Sequence, residues 1–181
     1  MLTGLVLRSK HAHARIRHID TSQASCLQGV RAVITGKDFP FVFGFRPLSI
    51  IDQPILAIDK VRYLYEPVAA VAAIDYATAE EATRLIKVNY GELPAVFDPS
   101  IAMEPTAPLI HEQVQLYTRP ERFKPIENTN ICHHAKLRKG NIEQGFSESD
   151  FIFEDTFKSQ MLAHCALEPH MSIAQVDNSG R

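Results

Sequence analysis

Residues 67–74, Pro-Val-Ala-Ala-Val-Ala-Ala-Ile, form an almost unbroken apolar run between Glu66 and Asp75, and no other stretch restricts the fold so tightly. The run falls far short of the roughly 20 residues that cross a bilayer, so it reads as a core strand. A run without alternation suits a strand covered on both faces, which calls for helices packed against it. The chain supplies one at once. Thr78-Ala79-Glu80-Glu81 has the Thr-x-x-Glu spacing of a capping box, and Ala79, Ala82, Leu85 and Ile86 recur at helical spacing opposite Glu80, Glu81, Arg84 and Lys87. The spacing predicts a helix over 77–86.

Around this unit, residues 4–9, 15–19, 30–35, 61–65, 88–90 and 95–98 read as short strands. The polar stretch Lys10-His11-Ala12-His13 between the first two suggests a hairpin-like start. Asp20-Thr21-Ser22 offers N-cap oxygens to a brief helix through Leu27, and Gly29 suits a left-handed ending. Residues 36–52 mix Gly, Pro and Phe without a period and predict a loop that packs its aromatic rings on the body. From 99 to 130 five prolines, Pro99, Pro105, Pro108, Pro120 and Pro125, interrupt regular hydrogen bonding and predict an extended connection. Beyond it the pattern predicts strands at 131–137, 151–159 and 171–176 and a short helix at 141–147. The last five residues resemble a turn between strands more than a natural end.

With a formal net charge of -2, the chain lacks the excess of Lys and Arg that nucleic acid or an anionic membrane surface would attract. Its three cysteines, Cys26, Cys132 and Cys165, are far apart and fit neither a disulfide framework nor a thiolate metal site. Buried, reduced thiols are expected, and with no basic-then-apolar leader visible, the cytoplasm is the default location.

Six segments in order resemble a known family: 7–16 (Leu-Arg-Ser-Lys-His-Ala-His-Ala-Arg-Ile), 29–36, 52–57, 60–73 (Lys-Val-Arg-Tyr-Leu-Tyr-Glu-Pro-Val-Ala-Ala-Val-Ala-Ala), 79–82 and 90–96 (Tyr-Gly-Glu-Leu-Pro-Ala-Val). They are similar to the molybdopterin-binding large subunit of the xanthine dehydrogenase/aldehyde oxidase family. Residues 140–146 and 164–170 extend the likeness. The family usually carries Pro where Lys10 stands and Gly where Tyr65 stands, and a ring at 65 would have to repack any surface that relied on close backbone approach.

The resemblance implies an α/β (α+β) chain: an α/β hammerhead domain with a mixed, twisted sheet over 1–100, a Pro-rich linker over 101–130, and over 131–181 the incomplete start of a molybdopterin-binding domain, its first strands. It also implies an oxidoreductase that inserts a water-derived oxygen at a C–H carbon of an aldehyde or N-heterocycle. Molybdenum-pyranopterin serves the complete subunit, and iron–sulfur clusters and FAD sit in partner modules. The family's Gly-rich pterin loops and basic glutamate lie beyond residue 181. The chain is therefore expected to be an N-terminal fragment, inactive alone, whose partners are the remainder of the molybdopterin subunit and the iron–sulfur and flavin subunits. Surfaces meant for absent domains leave room for a homo-oligomer. The rival reading is a non-catalytic interaction or assembly domain existing as a natural short chain.

No catalytic residue and no metal site is assigned. His11 and His13, on a strand, would face one side, but no third ligand stands at a useful spacing; a small metal-binding protein built on the histidines is a third, weaker reading. His133 and His134 would face opposite ways. His164, Glu168 and His170 form the densest titratable group, and the resemblance puts His164 and Glu168 near the cofactor side by proximity. Glu66 is expected to make a structural hydrogen bond at the entry to the apolar strand. No Gly-x-Ser-x-Gly elbow, P-loop or dinucleotide fingerprint is present.

Overall fold

The computed structural model describes residues 1–44, 49–163, 165–177 and 179. They fall into two compact units, Met1–Lys136 and Leu137–Arg181. The first runs β1 (Thr3–Arg8), β2 (Ala14–Asp20), α1 (Ser22–Cys26), β3 (Val30–Thr35), β4 (Val42–Phe43), β5 (Gln53–Pro54), β6 (Lys60–Val61), β7 (Pro67–Ala73), α2 (Tyr76–Leu85), β8 (Lys87–Glu92) and α3 (Pro99–Ala102). The α+β class is as expected, built from small sheets and few helices.

The apolar run 67–73 is indeed the central strand. β7 lies between β1 and β3, with Thr3 opposite Ala73 and Val33 opposite Val71. In the second sheet β2 lies between β6 and β8, with Ala14 opposite both Val61 and Glu92. A two-residue ribbon joins β4 to β5. Each of these pairings is antiparallel, where a mixed sheet was expected. Nor do β1 and β2 form a hairpin. Leu5 and Leu7 of β1 join the apolar cluster under the helices, while Ala14 and Ile16 of β2 join a different cluster, so each strand is drawn to a distant partner that shares its own core.

Those two clusters explain the composition of β7. Ala69, Val71 and Ala73 on one face meet Ala24 of α1 and Ala79 and Ala82 of α2, and all six are buried. The methyl side chains let helix and sheet approach closely, which larger groups would prevent. On the other face Val68 is fully buried against Ala14, Ala57 and Val61, but Ala70 and Ala72 are half-buried. Coverage is thus complete on one face and partial on the other.

Helix α2 begins a residue earlier than predicted, and its cap is Asp75, whose side chain accepts from the Thr78 N–H at 2.8 Å. Thr78 therefore sits inside the first turn and no Thr78–Glu81 box forms. Gly29 takes φ 93° as anticipated, after α1. Gly36 has a different necessity: a Cβ there would lie 2.6 Å from the carbonyl oxygens of Leu56 and Ala57.

Other expectations fail locally. Phe39, Phe41 and Phe43 are exposed, because the two-residue ribbon offers no face to bury them. Cys26, Cys132 and Cys165 are exposed free thiols. Cys26 follows the one buried residue of α1, Ala24, by two positions, which turns it to the far side of the helix.

Residues 103–131 are fastened where an extended connection was expected. Asn130 accepts from Ile110 N–H at 2.9 Å and donates to the carbonyls of Ala102 and Pro108, both at 3.0 Å. Arg119 donates to the carbonyls of Val114, Gln115 and Tyr117 around the 3-10 turn Val114–Leu116. Side chains supply the order that a proline-rich backbone cannot.

In the second unit α4 (Ile142–Glu148) forms, capped by Asn141, which accepts from the Gln144 N–H. The strands expected at 151–159 and 171–176 are not formed among the described residues, nor is the one at 131–137 in the first unit. A strand satisfies its N–H and C=O groups only beside another edge, and in the second unit Phe151, Phe153 and Phe157 stand exposed.

Candidate functional site

The tight connection from β6 to β7 gathers one polar group. Glu66 is 3% exposed, and its carboxylate accepts from the backbone N–H of Arg62 at 2.5 Å. Burial pushes its pKa up, partly offset by those backbone bonds and by the charge of Arg62. Its backbone carbonyl accepts from Ser9 N–H at 2.9 Å, and Tyr65 N–H donates to Ser9 O at 3.0 Å. This zips the turn onto the end of β1, the structural role expected of Glu66. Tyr65 is forced to φ 66°. A residue with a Cβ is strained there, which accounts for the glycine of the resembled family at this position.

The connection from β1 to β2 separates the two histidines that a strand would have aligned. His11 Nδ1 lies 3.0 Å from Glu92, and its ring tilts over Tyr90 with centroids 4.7 Å apart. His13 is buried and its Nδ1 lies 2.6 Å from the Pro94 carbonyl. A carbonyl only accepts, so Nδ1 carries the proton and Nε2 is left a buried acceptor without a partner. Among the described residues no group of three or more His, Cys, Asp or Glu is placed to hold a metal ion.

A third group lies where the Pro-rich segment crosses the sheets. Lys60, 1% exposed, donates from Nζ to Glu112 at 2.6 Å, and Arg15 reaches the other Glu112 oxygen at 3.6 Å. Beside it a cavity of about 280 Å³ is lined by Asp52, Gln53, Arg62, Tyr63, Glu66 and His111. His111 Nδ1 meets the Tyr117 hydroxyl at 3.0 Å. Burial, then the positive charge of Arg62, holds the His111 pKa below the usual histidine range. Arg62 donates to Lys60 O at 3.2 Å, while its Nε is buried without a partner. Sequence reasoning missed this cluster. His111 and Glu112 sit among prolines with no periodicity, and the one available signal was a lysine beside Val61 inside an apolar strand pattern.

The densest titratable group of the sequence falls partly outside the described residues. His164 lies outside the described residues, and Glu168 and His170 are exposed. His133 stacks at 5.3 Å on Phe123, and His134 is exposed. A Cβ added to Gly140 or Gly145 would meet nothing within 4 Å. Among the described residues these glycines therefore do not form a cradle for a pterin, and no step of chemistry runs through one here. Among the described residues no helix is long and apolar enough to cross a membrane.

Residues 1–94 match the family model described as "Aldehyde oxidase and xanthine dehydrogenase, a/b hammerhead domain", and residues 123–181 match the molybdopterin cofactor-binding domain. The chain is 37% identical over 180 residues to a probable xanthine dehydrogenase subunit of Bacillus subtilis, covering 99% of this chain and 22% of that protein. It is 35% identical to the carbon monoxide dehydrogenase large chain of Afipia carboxidovorans, covering 98% of this chain and again 22% of the relative. Among solved structures, a Cu,Mo-CO dehydrogenase superposes with TM-score 0.59 at 43% identity, over 62% of this chain and 14% of that one. The aldehyde oxidoreductase of Desulfovibrio gigas gives 0.53 at 34% identity, over 62% and 13%. The chain thus spans about a fifth of the length of the first relatives it matches.

Proposed function

Given that the chain belongs to the aldehyde oxidase and xanthine dehydrogenase family, we propose that it serves as the opening portion of a molybdenum hydroxylase large subunit, where it braces and shapes the subunit without supplying the reacting groups. The observation that carries this reading is the order of the two matches, the hammerhead model over 1–94 and the cofactor-binding model over 123–181. The described residues gather charged side chains for structural bonds, as at Glu66 and Lys60, and not around an open reaction centre.

On this reading the whole enzyme hydroxylates an aldehyde or N-heterocycle with oxygen from water, and the 181-residue chain is inactive alone. Molybdenum-pyranopterin, when bound by the whole subunit, accepts the electrons of that oxidation. The remainder of the subunit and iron–sulfur and flavin modules are its partners. We place the hammerhead over 1–100, the linker over 101–130 and the start of the cofactor-binding domain over 131–181, with His164 and Glu168 on the cofactor side. The cytoplasm suits a chain with unpaired thiols.

The test uses the purified 181-residue protein, assayed for molybdenum by elemental analysis and for oxidation of xanthine, an aldehyde and carbon monoxide. We expect neither metal nor turnover. Retention of stoichiometric molybdenum with substrate oxidation and no added subunit would overturn the proposal.

A further inference from the structure

We propose that residues 103–131 form an acid-released strap: at neutral pH its His111–Glu112 corner is latched onto Lys60, and protonation of that corner lifts the strap off the cavity beside it while both sheets stay folded.

The geometry of the fastening separates strap from sheets. Many of the strap's own bonds fold it upon itself, through Asn130 to Ile110 and Pro108 and through Arg119 to the Val114 turn, while Asn130 also ties it to Ala102 at the end of α3. Its ties to the sheet-bearing body include the Lys60–Glu112 contact at 2.6 Å, Arg15 at 3.6 Å and the Ile51–Thr118 bridge, in which Ile51 N–H donates at 2.9 Å. Lys60 is 1% exposed, so a lost Glu112 charge leaves an ammonium buried without its counter-ion. The strap must then move to admit water. His111 is a wall of the pocket that also holds Asp52, Arg62 and Glu66, so lifting the corner widens a pocket that is already partly open.

The charges facing the corner fix the direction of the response. Arg15 comes from β2, Lys60 from β6 and Arg62 from the turn after it; Asp52 precedes β5, Asp59 precedes β6, Glu66 precedes β7, and Tyr117 lies on the strap itself. A proton on His111 adds positive charge beside Arg62 and Lys60. Burial would by itself raise the Glu112 pKa, but the Lys60 hydrogen bond with the Lys60 and Arg15 charges brings it below the usual range. Both corner groups are depressed. Each therefore stabilises the closed strap above its ordinary pKa, and the contribution is lost as pH falls through the folded value, His111 first below about 6.5 and Glu112 after it. Glu66, raised by burial, responds oppositely and is easier to keep buried in acid. The turn under β7 thus holds while the strap releases.

Amide hydrogen exchange on the full chain tests this between pH 7.5 and 3.5, a range that reaches the lowered Glu112 value as well as that of His111, with protection corrected for intrinsic rates. Protection of Ile51, whose N–H donates to Thr118 of the strap, should fall about tenfold or more in acid, while Leu5 and Val71 keep theirs, as does Ile110, which is bonded within the strap. His111→Gln, neutral throughout, should flatten the upper part of that profile, and Glu112→Gln should release the strap already at pH 7.5. The pair Lys60→Met with Glu112→Leu should keep it closed at pH 7.5, remove the lower part of the profile and leave the upper part, which belongs to His111. If His111→Gln fails to fold, His111→Phe gives the same comparison. Strap and sheet amides losing protection together, a wild-type profile in the neutral His111 variant, or a fully protected strap in Glu112→Gln would each overturn the proposal.

Discussion

Strand β7 and residues 151–157 carry comparable strand-forming residues, yet only the first becomes a strand. In β7 each backbone edge meets a partner, β1 on one side and β3 on the other, and the Ala69–Val71–Ala73 face is roofed by helices. Phe151, Phe153 and Phe157 share one face of an extended segment, interrupted there by Asp155, but they are exposed and paired with no neighbouring strand among the described residues. Apolar patterning states which face wants burial; whether a strand forms depends on an edge and a cover supplied from elsewhere.

Substitutions can break that contrast or sharpen it. Val71→Asp places an unpaired charge in the centre of the covered sheet and should cost about 4 kcal/mol or more, visible as loss of the cooperative thermal transition. Glu66→Ala leaves a buried backbone N–H of Arg62 without its acceptor and should cost about 2 kcal/mol in urea unfolding. Glu66→Gln keeps an acceptor and removes the buried charge. Because burial raises the Glu66 pKa, the wild-type carboxyl contributes most below the ordinary carboxylate range and loses that contribution as pH rises through the raised value. The Gln variant should therefore gain relative to wild type between pH 5 and 7. Tyr65→Gly relieves the φ 66° strain and should stabilise the body by about 1 kcal/mol in the same measurement, less what a more flexible unfolded chain takes back. Phe153→Asp, in the second region, should leave the melting of the sheets within about 0.5 kcal/mol of wild type; a larger loss would mean that this segment shares the first region's core.

What was legible in the sequence follows the same division. The apolar run 67–73, helix α2 and left-handed Gly29 were readable because each is decided by neighbours within a few residues. The strand partners were not, since β1 and β2 find theirs far along the chain. The cap lies at Asp75, three residues before Thr78, because the helix starts at Tyr76 and takes Thr78 into its first turn. Glu66 was anticipated as making a structural hydrogen bond, but the strain at Tyr65 emerged only from the backbone, although the glycine that the resemblance implies there marked the place. The Lys60–His111–Glu112 cluster stayed hidden, for burial of a lysine is set by what crosses over it and by nothing in its own segment.

The placement of β7 between β1 and β3 has a consequence for how the chain comes into being. Thr3 pairs with Ala73 and Ala14 with Glu92, so β1 and β2 emerge during synthesis well before the strands that close their sheets. Such long loops make for slow folding and a lengthy interval with open edges. Until β7 arrives, β1 and β3 both lack the strand that lies between them, and their unpaired backbone edges face water.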